Sequence, residues 1–241
     1  MSNEHIVKSF DSELKRLDET IAEMGGLAEA LLAEAVEALV QRDADRAIKA
    51  IAADAKIDEL EDRVDRLAVQ ILALRQPMAA DLRAVIVALK TSGILERIGD
   101  YAKNIAKRTG VLVQSPPMGA VNTVARMAKL VQAMIKSALD AYLARDAIMA
   151  EDVRNRDAEV DALHTSLFRE LLTYMMEDPR NINPCAHLLF IAKNIERIGD
   201  HATNIAENVL FLVTGAEPVG ERIKDDMSSF ASVDHKAGGT L

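Results

Sequence analysis

The eleven residues from Glu96, ERIGDYAKNIA, return from Glu196 as ERIGDHATNIA, with nine of eleven positions identical. What is kept is a polar face. On a helix, Glu96, Asp100 and Asn104 stand four apart and fall within about 80° of one another, and Glu196, Asp200 and Asn204 repeat the placement. A second pair of stripes lies upstream of each copy: Asp54, Asp58, Glu61 and Asp65 in the first half, Asp157, Asp161 and His164 in the second, with His164 at the slot of Glu61. Carboxylates, an amide carbonyl and an imidazole suit Mg²⁺, Mn²⁺, Fe or Zn²⁺. Like charges four apart cost a helix about 0.2–0.5 kcal/mol per pair, and neither stripe has Lys or Arg at its centre, so the recurring pairs ask for a cation. The candidate metal ligands are Asp54, Asp58, Glu61, Glu96, Asp100, Asp157, Asp161, His164, Glu196 and Asp200. A surface for a basic partner, or plain solvated faces of acidic helices, are the other readings of the same stripes. Because Ile94, Ile98, Ala102 and Ile105 centre on the opposite side of their helix, the acids are expected to face outward from the fold, with Gly99 allowing close helix approach.

The elements that must carry these stripes are helices. Apolar residues recur at helical spacing from Phe10 to Gln41, and Gly25 and Gly26 are expected to loosen that helix. A turn at Arg42-Asp43 leads to a helix over 44–74, which Pro77 ends, and a third helix runs over 79–113. After QSPPMG the order repeats: 121–143, a turn at Arg145-Asp146, a helix to about 177, a break at DPRNINP and a helix over 185–213. Arg42-Asp43 matches Arg145-Asp146, and Asp54 with Asp58 matches Asp157 with Asp161, at an offset of 103. The spacing therefore predicts an all-α chain of two tandem, similar three-helix antiparallel bundles, six long helices in all. The expected divisions are a first bundle over 1–113, a linker over 114–120, a second bundle over 121–213 and a flexible tail over 214–241.

Composition narrows the function. Of 241 residues, 49% are hydrophobic, enough for a sizeable core. A formal net charge of −9 repels nucleic acid and anionic lipid. One cysteine, Cys185, excludes an internal disulfide, the opening MSNEHIVKSF lacks the order of a secretory leader, and no apolar run approaches a membrane span. A cytoplasmic protein is expected, with no nucleic-acid partner and no membrane insertion.

Catalytic signatures are missing: no phosphate-cradling glycine loop with Lys, no G-x-S-x-G, no H-E-x-x-H, and no Glu-x-x-His pair of the di-iron bundles. His187 is expected at a core boundary, Cys185 as an unreactive thiol and the methionines as gap-fillers. A non-enzymatic adaptor is the expectation; a metal-dependent carboxylate-bundle oxidase or hydrolase is its competitor.

The paired ERIGDxAxNIA segments, preceded by RQPMAADLRAVIVALK in the first copy and HLLFIAKNI in the second, resemble the PhoU family of phosphate-signalling regulators over about residues 10–213. The resemblance implies two three-helix bundles in one chain. It also implies a cytoplasmic negative regulator of the phosphate-starvation response, coupling the phosphate ABC transporter, through a PstB-like ATPase, to a PhoR-like sensor histidine kinase. Metal clusters on E(D)-x-x-x-D motifs are implied at Asp54 and Asp58, Glu96 and Asp100, Asp157 and Asp161, and Glu196 and Asp200, and a homodimer is expected. His164 departs from the family's pattern. Arg97, Lys103 and Arg197 flank the stripes as partner contacts.

Overall fold

A computed structural model describes residues 2–216. They form α1 (Ser2–Gln41), α2 (Ala44–Ala53), α3 (Ala55–Arg75), α4 (Ala79–Leu112), α5 (Val121–Ala144), α6 (Ala147–Asn155), α7 (Asp157–Glu177), a 3₁₀ turn (Pro179–Asn181) and α8 (Ile182–Thr214), with no strand among the described residues. Most of the span expected as a tail lies outside the described residues. No described helix is long and apolar enough to cross a membrane.

The second helix of each unit is broken one residue short of, or at, a candidate ligand. α2 ends at Ala53 and α3 resumes at Ala55, leaving Asp54 at the junction; α6 ends at Asn155 and α7 starts at Asp157. The periodicity ran through both breaks because the backbone stays close to helical there, with Asp54 at φ −59°, ψ −38° and Arg156 at φ −80°, ψ −11°.

The repeated Arg-Asp turn has a local explanation. Arg42 and Arg145 both adopt left-handed φ, 57° and 55°, which is costly for a non-glycine residue. The aspartate that follows then caps the next helix: Asp43 accepts from the Arg46 backbone N–H at 2.9 Å, and Asp146 from those of Ile148 and Met149 at 2.9 and 3.1 Å. Arg145 is also tethered to the other unit, and Arg42 to the segment between the units. Arg145 donates to Asp18 of α1 at 2.8 Å and lies over the ring of Tyr142, whose hydroxyl donates to Asp18 at 2.6 Å. Arg42 donates to the carbonyls of Val113, at 2.6 Å, and Ser115, in the segment leading to α5.

The glycines of α1 do not loosen it; the helix runs unbroken through Gly25 and Gly26. A Cβ at Gly25 would lie 2.4 Å from Leu139 Cδ1, while one at Gly26 would meet nothing within 4 Å. Gly25 therefore serves close approach of α1 to α5. Asp18 against Tyr142 and Gly25 against Leu139 set these two helices antiparallel.

α4 and α8 form the centre. α4 packs on α1, α2, α3 and α8, and α8 packs on α4, α5, α6 and α7. Lys90 lies over Phe211, Tyr101 against His201 and Arg108 over Phe190, so the two run antiparallel. The two three-helix units are thus joined across α4 and α8 and across α1 and α5. The core holds fully buried Ile21, Leu32, Leu95, Ile98 and Ile105 together with Met24, Met127 and Met134, while Met78, Met149 and Met176 are exposed, so the methionines are not core residues as a set.

Candidate functional site: two carboxylate clusters between paired helices

The stripe on the second helix of each unit meets the stripe on the third. In the first unit Asp54, only 2% exposed, points from the α2–α3 junction at α4. A Cβ at Gly99 would lie 2.9 Å from Asp54 Oδ1 and 3.0 Å from Ile57 Cδ1, so the glycine of ERIGD is the space that carboxylate occupies. Lys103, one turn along α4, brings its Nζ 2.5 Å from Asp54 Oδ2 and 3.5 Å from Asp100 Oδ1, an ammonium set between two carboxylates. Arg97 stands 3.5 Å from Glu96 and 4.0 Å from Asp100. Glu61 lies against α4 at Gly93, where a Cβ would be 3.6 Å from its Oε1.

These acids act on one another. Burial pushes Asp58, Glu61 and Glu96 above the ordinary carboxylate range, and neighbouring charge adds to it, chiefly Asp54 on Asp58, Asp65 on Glu61 and Asp100 on Glu96. Lys103 is pushed up by its hydrogen bond to Asp54.

The second unit is drier. Asp157, Asp161 and His164 on α7 and Glu196 on α8 are all buried, with Asp200 half-buried beside them. Lys193 donates to Glu196 Oε1 at 2.9 Å, and Glu196 Oε2 is buried without a hydrogen-bond partner. Burial is the largest cause raising the Glu196 carboxyl; Lys193 and His164 pull it down, and Asp200 pushes it up. Lys103 has no counterpart here, since Thr203, fully buried, stands at its position.

Two expectations are corrected. The acids do not face outward as a set: Asp54, Asp157, Asp161, His164 and Glu196 are buried, while Asp58 and Asp65 are exposed. Periodicity places a residue on its own helix but says nothing of which helix covers it, and α3 and α7 lie along the polar flanks of α4 and α8. Nor are the stripes without cations, because Lys103 and Lys193 reach them from positions a turn away on the third helices.

The geometry gathers Asp54, Asp58 and Asp100 around Lys103, sets Glu61 near Glu96, and brings His164 and Asp200 to Glu196. Among the described residues no three His, Cys, Asp or Glu side chains converge on one point as they stand. The donor set is nonetheless of the right chemistry for a hard or borderline cation, and Glu196 offers a buried, unshared oxygen. The sequence reading names Lys103 as a flanking partner contact but not its ion pairs with Asp54 and Asp100, for which the i+3 spacing from Asp100 was the available signal, and it does not single out Gly93. Cys185 is buried and its thiol pushed up by burial, as an unreactive cysteine requires. His187 is half-buried with Nδ1 3.4 Å from Arg108.

The chain is similar to known proteins over most of its length. A sequence model of the PhoU domain matches the chain twice, over residues 21–109 and 124–209. A phosphate-specific transport system accessory protein PhoU homolog of Rhizobium meliloti is 51% identical over 95% of this chain and 97% of its own length. Another with the same name, from Caulobacter vibrioides, is 50% identical over 94% of this chain and 99% of its own. The crystal structure of PhoU from Pseudomonas aeruginosa superposes with a TM-score of 0.83 at 40% identity, over 86% of this chain and all of that one. The phosphate transport system regulatory protein PhoU from Streptococcus pneumoniae gives 0.80 at 27% identity, over 87% of this chain and 99% of that one.

Proposed function

The chain belongs to the PhoU family, and from that premise we propose that it is an accessory protein of phosphate transport that restrains the phosphate-starvation response. It acts as an adaptor between the phosphate ABC transporter and the sensor histidine kinase, without turnover of its own. The observation that carries this reading is the end-to-end match to relatives named as accessory proteins of the phosphate-specific transport system. Its mechanism is population shift: an adaptor that binds the kinase's inhibitory state more tightly than its active state biases the equilibrium by the difference in the two binding energies. The rigid scaffold suits this role, since α4 and α8 are each packed on four neighbours and present fixed surfaces.

The carboxylate clusters are proposed as cation sites within that scaffold, held by Asp157, Asp161, His164, Glu196 and Asp200 in the second unit and by Asp54, Asp58, Glu61, Glu96 and Asp100 in the first. A bound Fe, Zn²⁺, Mn²⁺ or Mg²⁺ ion would neutralise the buried acids and clamp the second helix of each unit to the third. Glu196 supports the second site most directly, because its carboxyl is buried with one oxygen unshared. In the first unit Lys103 already occupies the position between Asp54 and Asp100, so an ion there must displace the ammonium. The binding experiment uses the immobilised chain with the purified transporter ATPase and the cytoplasmic part of the kinase. Saturable binding of both is expected, and binding of neither overturns the adaptor reading.

A further inference from the structure

The seam where α4 meets α8 carries a second polar surface, unlike the rest of the molecule. At alternating four- and three-residue steps from Lys90 to Val111 on α4 and from Phe190 to Phe211 on α8, the sequence holds no Asp or Glu, in a chain of net charge −9. Cations and aromatic rings alternate there across the two helices. Lys90 lies 5.7 Å from the Phe211 centroid, Arg197 5.7 Å from Tyr101 and Arg108 4.2 Å from Phe190, and Tyr101 stacks on His201. Lys90, Arg108 and Arg197 rest on ring faces and pair with no carboxylate among the described residues. Phe190 is 56% exposed beneath its guanidinium.

We infer that this seam is a docking surface for an acidic amphipathic helix of a partner protein. A cation parked on an exposed ring keeps its full charge for an incoming carboxylate, while the ring supplies apolar contact beneath it. The stretch from Lys90 to Arg108 is about 27 Å long at 1.5 Å per residue, which matches a helix of roughly eighteen residues laid along the groove between two antiparallel helices. Charge complementarity selects the acidic helix over a polyanion: Glu96 and Asp100 border the seam, tied to Arg97, and a continuous phosphate chain or anionic bilayer would meet them along with the net negative field. The inference does not depend on ions at the carboxylate clusters.

The test is fluorescence anisotropy in chelator, with the full-length chain and a labelled helical peptide of about eighteen residues, Leu on one face and Glu on the flanks. Saturable binding is expected, weakened about tenfold by raising salt, by replacing the peptide's Glu with Gln, or by the double variant R108Q/R197Q; F190A should weaken it several-fold. The substitutions sit on exposed or half-buried positions, so unchanged thermal melting is expected. Equal affinity for the Gln peptide, equal affinity of the double variant, or tighter binding of oligothymidylate or phosphatidylglycerol vesicles than of the acidic peptide would each overturn the assignment.

Discussion

Tyr101 and His201 hold the same position in the two copies of the repeated segment, and their rings stack on each other with centroids 5.6 Å apart and planes 25° apart. An approximate two-fold therefore passes between them, and each copy of ERIGDxAxNIA has two polar faces with separate duties. Position 101 or 201 looks across at the other copy; positions 96 and 100, or 196 and 200, look toward the second helix of their own unit. A segment read from both sides has little surface left on which to drift.

Gly25 and Gly26 make a matched pair of substitutions. Gly25→Ala places a methyl 2.4 Å from Leu139 Cδ1 and should destabilise the protein by about 1–3 kcal/mol, with recovery in the double variant carrying Leu139→Ala. Gly26→Ala meets open space and should stabilise by about 0.5–1 kcal/mol. Chemical denaturation of the variants checks both signs.

Lys103→Gln removes the ammonium between Asp54 and Asp100. Because Asp54 stays buried, loss of its partner should cost about 1–3 kcal/mol in chelator. Added Mn²⁺ or Mg²⁺ should restore the lost stability and raise the bound-metal content, since the carboxylates then await a cation. Melting temperatures indifferent to divalent ions in this variant would count against a first-unit site.

The duplication, the helix order and the residue types of both clusters were legible in the sequence because they depend on local spacing. Burial of the clusters was not. The wheel of α4 puts Glu96 opposite Ile98 and Ile105, but α4 is covered by α3 on its acidic flank as well as by α1 and α8 on its apolar ones, a fact of assembly that no single helix encodes. The role of Lys103 was hidden for a related reason: seven residues from Glu96, it falls about 20° from it on the wheel, but it enters the cluster through a partner on another helix, Asp54. Gly99 was legible as a close-approach residue, though what approaches is a carboxylate as well as Ile57.

Glu196 gives a pH signature. Its folded carboxyl holds the proton above the ordinary 4.5, so the folded state binds more protons than the unfolded one between these values, and stability falls as pH rises through that window. Glu196→Gln removes the buried charge, and the half-buried partner Lys193 loses little. In chelator the variant should melt with wild type below about pH 4 and above it at pH 7. A variant less stable at pH 7 would mean that the Lys193 pair outweighs burial.

Asp157→Asn with Asp161→Asn should lower the protein's bound Zn²⁺ or Mn²⁺, read by elemental analysis after equilibrium dialysis, more than Asp58→Asn with Asp100→Asn does. The second unit has Thr203 where Lys103 sits between two carboxylates in the first, and His164 adds a nitrogen donor. Equal losses from the two pairs would contradict the ranking.

The central claim is that this chain restrains a signalling pathway through its partners. Its most direct measurement is the activity of a phosphate-starvation promoter in a strain lacking the gene, grown in phosphate-rich medium. High expression is predicted, returning to the repressed level when the sensor kinase is also removed. Normal repression in the single deletion, or high expression that persists without the kinase, would contradict it.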